Sequence, residues 1–150
     1  MRTDNALKTF RSGFNCTQAV LSSFAEDLKL DTGTALSVAC GFGAGMGRLQ
    51  ETCGAVTGAY MAIGVFACRN LSDNQERKEQ SYAMIRQFDK QFKDLHGSTN
   101  CMDLIGCDLS TLEGRTDAKN RLLFDTICEK CVSDAVIILE KMIKQKYSDQ

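Results

Sequence analysis

The sequence predicts an all-α fold: one domain over residues 1–150, a helical bundle of five to seven helices with a buried central helix. Three observations carry this. No proline occurs, so no residue withdraws its N–H from a helix or clashes with the preceding turn. Apolar residues recur at helical spacing almost throughout, and the alternation of a half-buried strand is absent. Finally, Thr52 to Cys68 is a run of 17 residues without charge, bounded by Glu51 and Arg69. A membrane span needs ~20 mainly apolar residues, whereas this run is shorter and rich in small side chains, so it reads as a core helix.

The elements follow in order. TDNALKTFRSG is a short first helix that Gly13 closes. NCTQAVLSSFAEDLKL puts Val20, Leu21, Phe24 and Leu28 on one stripe, with Asn15 as N-cap and Gln18 at the capping-box position. DTGTALSVAC is a shorter helix ended by Gly41. The central helix, Thr52 to Ala67, carries Gly54, Gly58 and Ala62 four apart with Ala55 and Ala59 beside them, a face onto which another backbone can close. In SDNQERKEQSYAMIRQFDKQFKDLHG, Ser72 and Gln75 open a helix and Gly97 ends it. Its buried stripe is Tyr82, Ile85, Phe88, Phe92 and Leu95. NCMDLIG reads as a turn and CDLSTLEGRTDAKNR as an irregular polar segment. TICEKCVSDAVIILEKMIKQK is the last helix, opened by a Thr126–Glu129 capping box and ending in lysines that suit the dipole. The expected core includes Val20, Phe24, Val56, Ile63, Phe88, Phe92, Val136 and Leu139.

Composition narrows the function classes. The apolar share of 43% and charged share of 25% are those of a globular chain. A net charge of −1 leaves no basic excess to neutralise phosphates, which argues against nucleic acid and anionic membrane as partners. The start MRTDNALKTFRSG has Asp4 early and no apolar core of signal-peptide length, so the expectation is a cytoplasmic protein without membrane insertion. In a reducing compartment, eight cysteines favour thiol chemistry or metal binding over structural disulfides.

The stretch GFGAGMGRLQETCGAVTG, residues 41–58, invites a phosphate-loop reading that its context refuses. A dinucleotide fingerprint needs a strand before it and an acid about 20 residues on; here a helix precedes and the uncharged helix follows. The glycines instead describe a tight connection able to fold over the start of the next helix.

Four cysteines fall at expected helix starts: Cys16 after Asn15, Cys53 after Thr52, Cys101 after Asn100 with Ser98 a competing cap, and Cys128 two past Thr126. Unpaired N–H groups and the positive dipole end stabilise a thiolate there. Arg48 adds positive charge beside Cys53, which is therefore expected to be the most ionisable. Cys40 and Cys68, at the far ends of helices, read as small packing residues. Cys107 lies in a loop, and Cys131 sits one turn into the last helix. Cys128-Glu129-Lys130-Cys131 is the only C-x-x-C, without the βαβ context of a thioredoxin motif. His96, the single histidine, reads as a solvated helix-end residue against the dipole.

The segments NCTQAVLSSFAEDLKLD, CGFGAGMGRLQETCGAVTGAYMAIG, HGSTNCMDLIGCDLS and CEKCVSDAVIILE resemble the C_GCAxxG_C_C family, named for a C-G-A-x-x-G motif with separated cysteines. The motif reads Cys53-Gly54-Ala55-Val56-Thr57-Gly58, and the likeness runs from about residue 14 to 142. By resemblance, the family's four characteristic cysteines fall on Cys16, Cys53, Cys101 and Cys128. Glu129 stands where the family often has proline, and Cys40, Cys68, Cys107 and Cys131 look like additions. The resemblance implies a redox role, often with transporter genes nearby, and no assigned substrate.

Three functions stay open. One is thiol–disulfide chemistry by a pair among the four thiols, an oxidoreductase with Arg48, Gly54 and Gly58 in support. Another is a cysteine-ligated iron–sulfur cluster or other metal site on Cys16, Cys53, Cys101 and Cys128. Their intervals of 37, 48 and 27 residues lack the close pairs of common cluster motifs. A bundle can still bring distant helix ends together, and four convergent thiolates would call for a cation. The third is a non-catalytic helical partner of a transporter. An electron-transfer partner belongs to the first two, and Gly41 to Gly47 with Met46 suggests a homodimer surface.

Overall fold

In the computed structural model, which describes residues 1–150, helix starts follow capping chemistry. The helices are α1 (Arg2–Arg11), α2 (Cys16–Ser23), α3 (Thr32–Ala39), α4 (Gly54–Asn70), α5 (Asn74–His96), α6 (Cys101–Ile105), α7 (Leu112–Asn120) and α8 (Glu129–Ser148). Asn15 caps α2 in a reciprocal capping box: Asn15 Oδ1 accepts from Gln18 N–H, and Gln18 Oε1 accepts from Asn15 N–H, both at 2.9 Å. Asp31, Asp73, Asn100 and Thr111 cap α3, α5, α6 and α7, each accepting from the N–H three residues on.

Eight helices exceed the expected five to seven. The two extra ones lie where a turn and an irregular polar segment were expected, because Asn100 and Thr111 each supply a cap that starts a short helix. Gly43–Met46 coils once more between α3 and α4, but Ala44 and Gly45 are left-handed (φ 53° and 65°), so it is a turn. Met46, Gly47, Arg48 and Gln50 also have positive φ, and the whole glycine stretch is tightly wound.

Other boundaries moved for local reasons. The second helix stops at Ser23, with Phe24 and Leu28 still buried in the turns that follow. The central helix starts at Gly54 rather than Thr52, which instead forms an isolated antiparallel bridge with Asn100. Asp73, not Ser72, caps α5. Its buried face is Met84, Phe88 and Phe92; Tyr82 and Leu95 are exposed, since a stripe at four-residue spacing leaves both off the face. The Thr126 capping box does not form. A π-helical turn, Phe124–Cys128, already leads into α8, and Thr126 Oγ1 donates to Leu122 C=O at 2.8 Å.

The core sits where α4 packs on α2, α5 and α8. All eight expected core residues are at most 1% exposed. Gly58 brings α2 against α4 so closely that a Cβ there would stand 2.8 Å from Thr17 O and 3.1 Å from Val20 Cβ. Burial of α4 is one-sided past Ala59: Tyr60, Met61, Gly64 and Val65 are half-buried and Cys68 to Asn70 exposed. No helix is long and apolar enough to cross a membrane.

Candidate thiol site

Each of the four family-type cysteines arrives on a different segment. Cys16 opens α2 behind Asn15. Cys53 is the N-cap of α4, and its side chain makes no capping hydrogen bond. Cys101 opens α6, and Cys128 ends the π turn before α8. The backbone holds two of them together: Cys53 N–H donates to Thr99 C=O at 2.7 Å and Cys101 N–H to Glu51 C=O at 2.6 Å.

All four line one cavity of about 160 Å³. Phe10, Ala44, Leu104, Ile105, Leu109, Phe124 and Ile127 supply its apolar walls. Asn15 is the one polar side chain apart from the thiols, and no charged group lines it. Cys53 and Cys101 are buried, Cys16 and Cys128 half-buried. All eight cysteines are free thiols. No group of three Cys, His, Asp or Glu side chains is placed to ligate a single ion. The thiols surround a space rather than a point.

The glycines make this enclosure possible. A Cβ on Gly54 would overlap Cys16 Sγ and stand 2.5 Å from Thr17 Oγ1. One on Gly45 would stand 2.7 Å from Cys101 Cβ, and one on Gly43 2.5 Å from Asn15 Cβ. Gln50, buried at 4% exposure, braces the floor. Its Nε2 donates to Cys107 C=O and its Oε1 accepts from Leu109 N–H, both at 2.7 Å.

Electrostatics reverse the expectation for Cys53. Burial pushes the Cys16 thiol up to about 11 and Cys101 up to about 12, and it raises Cys128 further. The neighbouring thiolates add to each shift: Cys53 on Cys16, Cys53 and Cys16 on Cys101, and all three on Cys128. For Cys53 the largest cause is its interaction with the Cys131 thiol, followed by burial. Together they outweigh the Ala55 and Val56 N–H groups, which act in the lowering direction. Arg48 is exposed and lies outside the cavity wall, so its charge does not offset the loss of water. Cys40 and Cys68, expected to pack, are exposed instead.

Two residues acquire neighbours the sequence did not reveal. His96 is not solvated: its side chain is 10% exposed, and its ring stacks on Phe92 with centroids 4.4 Å apart. Its Nε2 lies 2.9 Å from Asp134 Oδ2, and its Nδ1 lies 3.9 Å from Cys131 Sγ. Cys131, 2% exposed, is a fifth thiol of the cavity wall. The i, i+3 spacing of Cys131 and Asp134 was visible on the last helix; no sequence signal brings the end of α5 to them.

Fold and site together define a small all-helical protein whose distant cysteines converge on one cavity. The chain belongs to the family described as "Putative redox-active protein (C_GCAxxG_C_C)", whose family model matches residues 14–142. A protein of Archaeoglobus fulgidus described as uncharacterized is 27% identical over 140 residues, covering 88% of this chain and 86% of that one. No solved structure matches this chain.

Proposed function

We propose that Cys16, Cys53, Cys101 and Cys128 hold a redox centre, an iron–sulfur cluster, in the apolar cavity between them, and that the protein passes electrons to a partner in the cytoplasm. The observation that carries this reading is the convergence of four thiols from four segments around about 160 Å³ of space lined by no charged group. Soft thiolates are the usual ligands of such clusters. The space is close to the ~150 Å³ of an apolar cavity that takes up benzene, so it suits a compact guest larger than one ion.

The chain's own residues do the rest. Without a cation the four thiols stay protonated at neutral pH, since burial and mutual repulsion both disfavour the charges. Loading therefore releases protons, and affinity rises with pH. Phe10, Phe124 and Ile127 exclude water, which with hydrogen bonds to sulfur sets the potential of a bound cluster. The cluster itself supplies reversible one-electron transfer. Thiol–disulfide turnover at these four positions is the weaker reading, because a buried protonated thiol is a poor nucleophile.

The test is anaerobic reconstitution of reduced protein with ferrous iron and sulfide. The expected result is broad visible absorption with about four irons and as many acid-labile sulfides per chain if the cluster is cubane. Cys→Ser at any of the four should lower the iron content. No uptake by the reduced wild type, or full uptake by Cys16→Ser, would overturn the proposal.

A further inference from the structure

The two nitrogens of His96, the chain's only histidine, are held in different ways. Nε2 stands 2.9 Å from Asp134 Oδ2, and Lys130 Nζ pins the same carboxylate oxygen at 3.1 Å. A carboxylate only accepts, so Nε2 carries the proton and the neutral ring keeps its lone pair on Nδ1. Nδ1 faces the Cys131 sulfur at 3.9 Å. Phe92 stacks on the ring with centroids 4.4 Å apart and fixes its plane, and the side chain is only 10% exposed. An imidazole oriented by a carboxylate through one nitrogen and open at the other is the usual arrangement of a metal-ligating histidine. Of the five thiols that line the cavity, Cys131 is the one whose sulfur has a metal-ligating nitrogen beside it.

We propose that Cys131 and His96 bind a single Cu(I) ion between Sγ and Nδ1. Bond lengths like those of zinc, ~2.3 Å to sulfur and ~2.0–2.1 Å to nitrogen, set the spacing of two donors on one ion. It runs from about 3.6 Å at a tetrahedral angle to about 4.3 Å in a line. The observed 3.9 Å falls inside that range, so the pair can bridge an ion without backbone movement. Ligand type, ligand number and charge each select copper. Thiolate sulfur prefers Cu(I), and imidazole also suits copper. Two donors face each other here and no group of three converges on a point; Cu(I) is satisfied by such a pair, whereas zinc completes a tetrahedron. Binding breaks the Cys131 S–H bond, forms an S–Cu bond and releases the proton to water, with no electron transferred. Thiolate and Cu(I) then cancel, so the apolar wall gains no net charge; a divalent ion would leave one positive charge there unmatched. The site borders the cavity but uses none of the four cluster cysteines, and it does not depend on the cluster reading.

The test gives reduced, metal-free protein an equal amount of Cu(I), supplied without oxygen as its acetonitrile complex. X-ray absorption at the copper edge reads the ligands, and nitrogen-15 NMR reads the ring. Because the chain has a single histidine, any imidazole in the copper shell is His96. The expected result is one nitrogen and one sulfur on copper, a shifted Nδ1 resonance and a retained Nε2 proton. Copper held by sulfur alone, with the ring resonances unchanged, overturns the proposal, and this reading of the wild type needs no variant to fold. In competition with bicinchoninate, Asp134→Ala should weaken Cu(I) binding between about ten- and a hundred-fold, the loss expected for an outer-shell carboxylate. Cys131→Ala should remove the nitrogen from the copper shell. Folded variants that keep wild-type affinity and ligands overturn the site, as does Zn(II) held as firmly as Cu(I). The two readings fail separately. Protein that binds copper through His96 but takes up no iron refutes the cluster alone, whereas protein that loads iron but shows an all-sulfur copper shell refutes this site alone.

Discussion

Gly54→Ala is the sharpest probe of how the cavity is built. The new methyl group would overlap Cys16 Sγ, stand 2.5 Å from Thr17 Oγ1 and 3.3 Å from Phe42 C=O. Thr17 is fully buried and its hydroxyl donates to Phe42 C=O at 2.9 Å, so that side cannot yield without breaking a bond. Cys16 must therefore move, and with it one wall of the site. Overpacking of this kind costs about 1–3 kcal/mol. The better helix propensity of alanine returns up to ~1 kcal/mol, less at a first-turn position. The net is a loss of about 1–2 kcal/mol, a fall in Tm of roughly 3–6 °C for a chain of this size. Gly64→Ala is the control on the same helix: nothing lies within 4 Å of its Cβ, so propensity alone should raise stability by about 0.5–1 kcal/mol. Thermal unfolding of the reduced, metal-free proteins gives the stabilities, and iron content after reconstitution reads the site. Gly54→Ala with wild-type Tm and full iron content would refute the close approach of α2 to α4 on which the cavity depends.

Gln50→Ala strands the buried Leu109 N–H and Cys107 C=O and should cost about 2–4 kcal/mol in urea unfolding. A loss under about 1 kcal/mol would mean that water or another group takes over both bonds. The thiols also predict a pH dependence. Cys16 and Cys101 have folded pKa values raised from 9.0 to about 11 and 12, so above about pH 9 the unfolded chain binds fewer protons than the native one. Metal-free protein should therefore keep its stability below that pH and lose it progressively as pH rises towards 11–12. Flat stability across that range would contradict the burial of these sulfurs. Cys40→Ser and Cys68→Ser, at exposed positions, should leave both Tm and iron uptake unchanged; a loss of iron in either would redraw the ligand set.

Much of this was legible in the sequence where one local interaction decides. Asn15 with Gln18 announced the start of α2, Gly97 closed α5, and the eight core residues followed from spacing on their own helices. Cys16, Cys53 and Cys101 do stand at helix starts, whereas Cys128 ends a π turn whose expected Thr126 cap does not form; all four nonetheless line one cavity. Balances between competing terms were not legible. At Cys53 the helix-start N–H groups are present as expected, but desolvation and Cys131 outweigh them, and both depend on chain brought in from far away. His96 failed for the same reason: its partners are Asp134 and Cys131, 38 and 35 residues on. Short helices such as α6 hid because a five-residue helix carries one turn of pattern, and only its cap betrays it.

The bridge between Thr52 and Asn100 divides the site mechanically. Cys53 and Cys101 are clasped by main-chain bonds on both sides, so they move as one stiff jaw. Cys16 and Cys128 have no such main-chain link to that jaw; the start of α2 is tied instead to the glycine stretch by side-chain hydrogen bonds from Asn15 and Thr17, and Cys128 arrives on the π turn. Any guest too large to slip between closed walls must enter by parting the packed side from the clasped one. Amide exchange would register this directly. The N–H groups of Cys53 and Cys101 would exchange only on global opening, whereas those of the Phe124–Cys128 turn would exchange with each local excursion that lets cargo in.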